Sequence, residues 1–199
     1  MRTRLLRLAV LSALLVSARA HANVEVDFIP STAAHGYAAR AYRAIWDEYG
    51  ERIVAALEAR TCLPFSESHV AAVIADAVSH SGGPEHPMRL RASYPGDVKR
   101  STLVHELGHR HLWQLAERLD ELDGHETLYL ILDRVWADVW GDAFAEQRVG
   151  DEAGWRAEYD YAAAWTRARS MTPAERAHLW NRLLAMNGFP TGCDGPIAD

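Results

Sequence analysis

The chain has 199 residues, of which 49% are hydrophobic, and it carries a formal net charge of −6. This length and apolar fraction are enough for the core of one globular domain. The excess of acidic residues argues against nucleic acid as a partner.

The N-terminus has the pattern of a secretory signal peptide. Three arginines within the first seven residues precede an apolar run from Leu8 to Val16, and an A-x-A cleavage site ends at Ala22. The run is shorter than the roughly 20 residues that span a bilayer, so an uncleaved anchor is the weaker alternative. We expect removal of residues 1–22, export to the periplasm or the exterior, and one domain over 23–199 without a membrane anchor.

Hydrophobic periodicity predicts a few strands followed by helices. Alternating apolar residues predict strands near 23–30 and 88–94, whereas steps of three and four predict a helix over 36–60. Segment 70–78 is ambiguous, and its β-branched residues favour a strand. Further helices are predicted over 127–148 and 151–170 and after a capping box that begins at Thr172. The fold class is therefore α+β and mostly helical.

Two cysteines, Cys62 and Cys193, occur in the chain. Neither has a neighbouring partner at metal-ligand spacing, and an exported protein meets an oxidising compartment. A disulfide is the favoured interpretation, and a metal-binding role is the alternative.

The segment from Ser101 to Leu112 contains His105, Glu106 and His109 in the spacing H-E-x-x-H. Residues four apart lie on one face of a helix, so both imidazoles can reach one metal ion. A catalytic zinc site commonly has three protein ligands and a water molecule whose pKa the metal lowers, and a neighbouring carboxylate can accept its proton. We predict that His105 and His109 bind Zn²⁺ and that Glu106 is the general base. A chance match between ordinary helix histidines is the alternative.

With its flanking residues, H-E-L-G-H resembles the zinc-binding segment of the zincin metallopeptidases. Gly108 would allow another element to approach the helix closely, while Arg110 departs from the stricter zincin consensus. The resemblance implies a zinc-dependent peptidase that acts on a peptide or protein. It also implies that strand 88–94 is an edge strand that pairs with an extended substrate.

A third ligand is expected on the helix predicted over 127–148. One face of that helix runs from apolar residues into acids, in the order Leu128, Ile131, Val135, Asp138, Asp142 and Glu146. Inward-facing carboxylates are costly unless they are paired or bind a metal. The segment from Asp138 to Ala145 resembles the second zinc-binding helix of the gluzincins, including the ImmA/IrrE-like and HtpX-like peptidases.

The gluzincin resemblance implies that Asp138 is the third ligand and that Asp142 orients His105. Asp142, Glu146, Glu126, His125 and the absence of a third protein ligand stay open as alternatives. Tyr159, Tyr161 and His178 are available as donors to a transition-state oxygen. The competing class is an exported binding or folding factor without catalytic activity.

Overall fold

The computed structural model describes residues 24–83, 85–155 and 158–196. The predicted signal peptide therefore lies outside the described residues. Among the described helices, none is long and apolar enough to cross a membrane.

The described residues form a small sheet and a larger set of helices, which confirms the α+β, mostly helical class. The strands are β1 (Glu25–Pro30), β2 (His69–Ala75) and β3 (Met88–Arg91). The helices are α1 (Gly36–Thr61), α2 (Gly96–His111), α3 (Gly124–Tyr129), α4 (Leu132–Trp140), α5 (Asp142–Ala153), α6 (Tyr161–Ser170) and α7 (Pro173–Met186).

The strands pair in the order β1-β2-β3, and both pairings are parallel. Alternate residues on one face of this sheet are buried and pack towards the helices. They are Val26, Phe28, Val70, Ala72, Ile74, Met88 and Leu90. α1 contacts β1, and α2 contacts both α1 and β3. The sheet therefore positions α2, the helix that carries the H-E-x-x-H motif, through the contact of α2 with β3.

The predicted strands and the helix over 36–60 are confirmed, including the strand assigned to the ambiguous segment 70–78. The capping box at the start of α7 is also present, because Thr172 accepts a hydrogen bond from the Glu175 backbone N–H. The prediction of two long helices in the second half of the chain is wrong. The 127–148 region contains the end of α3, all of α4 and the start of α5. The segment predicted as one helix over 151–170 contains the end of α5 and all of α6, and the described residues 154–155 and 158–160 between them are not helical.

Gly141 separates α4 from α5. Its φ of 88° and ψ of 162° belong to a region that essentially only glycine adopts. The chain changes direction there, so residues before and after Gly141 do not share one helical face. This break is the physical reason why the apolar-to-acidic stripe of the sequence is not continuous in space.

A disulfide between Cys62 and Cys193 joins the end of α1 to the C-terminal segment across 131 residues of sequence. The favoured pairing is therefore confirmed. A disulfide fits an exported protein, because reducing compartments keep thiols reduced.

Removing this cross-link should destabilise the protein. We expect the double variant Cys62→Ser, Cys193→Ser to lose about 2–5 kcal/mol of unfolding free energy, because the unfolded chain gains conformational entropy. Urea denaturation of the oxidised wild type and the variant measures this difference. Reduced wild type is the matched control and should unfold at the same urea concentration as the variant; equal midpoints for oxidised and reduced wild type would contradict the expectation.

Candidate metal centre

The histidines of the H-E-x-x-H motif lie on one face of α2, as their spacing predicts. The Nε2 atoms of His105 and His109 are 3.2 Å apart. Two nitrogens that each lie 2.0–2.1 Å from a tetrahedral zinc ion would be about 3.3 Å apart. The two imidazoles therefore already have the separation that a shared zinc ion needs.

His125, at the start of α3, completes a cluster with His105 and His109. One nitrogen from each of the three rings lies within 4.8 Å of the other two. The ring of His125 stacks on Tyr159 at a centroid distance of 4.2 Å, and the ring of Tyr161 meets it edge-on at 5.2 Å. These two aromatic contacts fix the orientation of the third imidazole.

The start of α3 is held by a capping box. Asp123 accepts a hydrogen bond from the Glu126 backbone N–H, and the Glu126 side chain accepts one from the Asp123 backbone N–H. Gly108 of α2 faces this helix, and a Cβ there would lie 2.7 Å from a methyl carbon of Leu128. The expected close approach at Gly108 is thus confirmed, and it brings His125 to the motif helix.

The buried carboxylate of Glu152, on α5, orients His105. Its Oε1 lies 2.9 Å from Nδ1 of His105, and because a carboxylate only accepts, Nδ1 donates. Its Oε2 accepts from the hydroxyl of Tyr129 at 2.9 Å and from Nε1 of Trp165 at 3.0 Å. With Nδ1 committed to Glu152, Nε2 of His105 is the nitrogen available to a metal, an arrangement common among metal-binding histidines.

The cluster favours neutral imidazoles at two of its three positions. Burial, reinforced by His105, lowers the pKa of His109 well below its ordinary value and that of His125 to about 4. Burial also acts on His105, but the charge and hydrogen bond of Glu152 outweigh it and raise the pKa of His105. Neutral rings have the free lone pair that metal binding requires.

Glu106 lies beside His105 and lines the same cavity as the three histidines. Burial, partly offset by His105, raises the pKa of its carboxyl to about 7. Among the described residues, its side chain has no hydrogen-bond or ion-pair partner. The carboxyl group is therefore available to a molecule in the cavity.

Asp138, predicted as the third ligand, is not brought to the histidine pair. It forms a two-pronged ion pair with Arg60 of α1, with both N–O distances 2.6 Å. Asp138 is exposed and does not face inward as expected, and its charge is paired with an arginine. His125, one of the alternatives left open by the sequence, takes the position next to His105 and His109.

Asp142 is likewise remote from His105, which it was expected to orient. It is exposed and lies 3.5 Å from Arg134, and Glu146 pairs with Arg169. Glu152, which had no predicted role, occupies the orienting position. A signal was present, since Ala145, Val149 and Glu152 lie at helical steps and form the buried face of α5.

The cavity beside the histidines has a volume of about 580 Å³. Its walls include Thr102, whose buried hydroxyl oxygen has no hydrogen-bond partner among the described residues. Of the three candidate oxygen donors, Tyr161 lines this cavity, whereas the Tyr159 hydroxyl donates to Asp123 at 2.9 Å. His178 lies at a different surface depression, together with Met171 and Leu179.

One cavity wall is the segment 78–81, which runs along the outer edge of β3. His80 and Arg89 exchange two backbone hydrogen bonds of 3.0 and 2.9 Å. β3 is the last strand in the described sheet, as expected of an edge strand, but its edge at Arg89 is already paired. An extended substrate would therefore meet segment 78–81 before it met this part of β3.

Arg110, the departure from the zincin consensus, holds this wall in place. It is buried, forms a two-pronged ion pair with Glu67, and donates to the carbonyl oxygens of Ser81 and His86 at 2.8 and 3.2 Å. Arg110 directly follows His109 in sequence. It therefore links the motif helix to segment 78–81.

Comparison with known proteins gives no further assignment. No protein-family model matches the chain, and neither a curated protein nor a solved structure matches it.

The geometry distinguishes His125 from Asp138 as a metal ligand. We expect His125→Ala to weaken zinc binding by at least about tenfold, because one of three nitrogens is lost. Asp138→Asn should leave zinc affinity unchanged and lower stability by about 1 kcal/mol, because it removes the charge of a partly exposed ion-pair partner of Arg60.

Competition with a zinc chelator and urea denaturation measure these two quantities separately. If Asp138→Asn lost zinc affinity and His125→Ala kept it, the third ligand would be Asp138 and not His125.

Proposed function

We propose that the protein is an exported zinc-dependent peptidase. The observation that carries this proposal is the convergence of His105, His109 and His125 beside the unpartnered carboxyl group of Glu106 in one cavity. The spacing H-E-x-x-H and the disulfide support it independently, the first for the chemistry and the second for an oxidising location such as the periplasm or the cell exterior.

The donor set fits zinc. Imidazole nitrogen is a common zinc ligand, and the separation of 3.2 Å between two of the donors suits a tetrahedral ion. Three protein ligands are typical of catalytic sites, which keep a position open, whereas structural sites are usually closed by four. Bound zinc would polarise a carbonyl group and make water a nucleophile at neutral pH.

Glu106 is proposed as the general base. It accepts a proton from the attacking water as the water oxygen bonds to the carbonyl carbon of the peptide. It then delivers a proton to the amine nitrogen as the C–N bond breaks. Its position next to His105, on the same cavity wall, favours this role over a structural one.

Glu152 and Tyr161 are proposed to support the reaction in two different ways. Glu152 holds His105 in one tautomer and orientation. Tyr161 lines the cavity, and burial, with Glu152 and Glu106 nearby, raises its pKa to about 12, so its hydroxyl group remains a donor at neutral pH. We assign it to the oxygen that gains negative charge in the transition state.

The alternative function is a non-catalytic, exported zinc-binding or folding factor. The two functions differ in the consequence of changing Glu106. We expect Glu106→Gln to retain one zinc per chain and to lose about 10²- to 10⁴-fold in hydrolysis of an unfolded protein substrate, because general-base catalysis is removed.

Metal analysis and release of peptide fragments, measured on the same preparations, check this expectation. Zinc bound without hydrolysis by either wild type or variant would support the binding factor instead.

Tyr161 can be tested through its hydroxyl group alone. Tyr161→Phe keeps the ring against His125 and should lower kcat on the order of 10²-fold, with KM and zinc content nearly unchanged, because a transition-state donor is lost. Tyr159→Phe is the matched control, since its hydroxyl bonds to Asp123 and not to the cavity. Equal kcat values for wild type and Tyr161→Phe would remove Tyr161 from the mechanism.

A further inference from the structure

Three aromatic rings line the cavity next to the histidine cluster. They belong to Tyr94, which follows β3, Trp155, which follows α5, and Tyr161, the first residue of α6. The rings of Tyr94 and Trp155 are nearly parallel at a centroid distance of 6.3 Å, and Trp155 meets Tyr161 edge-on at 5.5 Å. Three separate chain segments therefore contribute to one aromatic wall.

The tyrosine hydroxyls of this wall stay neutral. Burial raises the pKa of both Tyr94 and Tyr161. A neutral aromatic wall offers dispersion and ring-to-ring contacts to a side chain in the cavity. Such contacts discriminate by size and apolar area, and they favour an aromatic side chain over a small one.

The charges in the cavity argue against a basic side chain. Apart from the histidines, the ionisable lining groups among the described residues are Arg91, Glu106 and the two tyrosines. The guanidinium of Arg91 already lies over the face of Tyr94 at 5.2 Å, and its Nε donates to the Ala77 carbonyl at 3.1 Å. A lysine or arginine side chain of a substrate could otherwise make a cation–π contact with this face of the Tyr94 ring. The positive charge of Arg91 already lies there and would repel it.

We propose that Tyr94, Trp155 and Tyr161 form a subsite for an aromatic side chain of a peptide substrate, and that Arg91 disfavours basic side chains there. The subsite rests on the proposed peptidase function, because it gives that cavity its substrate preference. It places the bulky side chain against the aromatic wall and leaves the adjoining peptide group towards Glu106.

Binding and hydrolysis test the subsite separately. The probes are blocked tripeptides, acetylated and amidated, with glycine on both sides of a central Phe, Ala or Lys. Zinc-loaded Glu106→Gln, which cannot turn them over efficiently, should bind the Phe peptide about tenfold more tightly than the Ala peptide by calorimetry. Wild type should show the same order in kcat/KM, with the Lys peptide poorest.

Variants of the wall identify the residues responsible. Trp155→Leu and Tyr94→Leu, each in the Glu106→Gln protein, should reduce the Phe-to-Ala preference below about threefold while zinc content stays the same. Tyr37→Leu is the matched control, since Tyr37 is exposed outside the cavity, and it should keep the full preference.

The outcomes separate the subsite from the peptidase. Two results would overturn the subsite and leave the proposed peptidase function standing. One is equal binding of the Phe and Ala peptides by Glu106→Gln. The other is hydrolysis of both peptides by wild type with equal kcat/KM. Preferential binding that depends on Trp155, without hydrolysis by wild type, supports the aromatic subsite and overturns the peptidase.

Discussion

The candidate site depends on the buried carboxylate of Glu152. Its two oxygens accept hydrogen bonds from His105 of α2, Tyr129 of α3 and Trp165 of α6, and the carboxylate itself belongs to α5. A buried carboxylate is costly unless its oxygens are satisfied, so these four helices must adopt one relative arrangement. Tyr129 and Trp165 also stack at 3.9 Å, which fixes the two donors with respect to each other. The orientation of the first histidine is therefore a consequence of how four helices pack.

Buried arginines have a comparable role around the site. Arg60 pairs with Asp138, Arg176 with Asp133, and Arg110 with Glu67, and each pair joins elements far apart in sequence. Each pair offsets part of the cost of burying a guanidinium group. The guanidinium of Arg110 also donates to the carbonyl oxygens of Ser81 and His86, and Ser81 lines the cavity beside the histidines. Arg110, the residue that departs from the zincin consensus, thus holds a loop of the fold in position.

The cavity combines groups with different physical demands. The histidines and Glu106 need a polar, water-accessible space, whereas the aromatic wall gains from excluding water. The fold meets both demands by supplying the polar groups from α2 and α3 and the rings from the segments after β3 and α5 and from the start of α6. Tyr161 belongs to both sets, because its ring lines the wall beside His125.

Local patterns in the sequence were sufficient to predict the strands, α1 and the pairing of His105 with His109 on one helix face. Strand alternation and the helical step of four residues fix which side chains share a face. They also indicated the pairing of Cys62 with Cys193. The sequence did not indicate the interruption at Gly141, since the hydrophobic pattern continues across it and only the backbone angles reveal the change in direction. The interruption separates Asp142 and Glu146 from the helix that carries Val135, and Asp138, which precedes the interruption, pairs with Arg60 instead of reaching the histidines.

His125 and Glu152 reach the motif through tertiary packing alone. They lie 20 and 47 residues after His105, beyond the reach of any helical period, and their approach depends on close packing at Gly108 and on the shared hydrogen bonds of Glu152. The sequence by itself determined a pair of imidazoles with a neighbouring carboxyl group. The tertiary structure decided which third side chain joins them and which carboxylate orients them, because those contacts are set by the packing of separate helices and not by spacing along one.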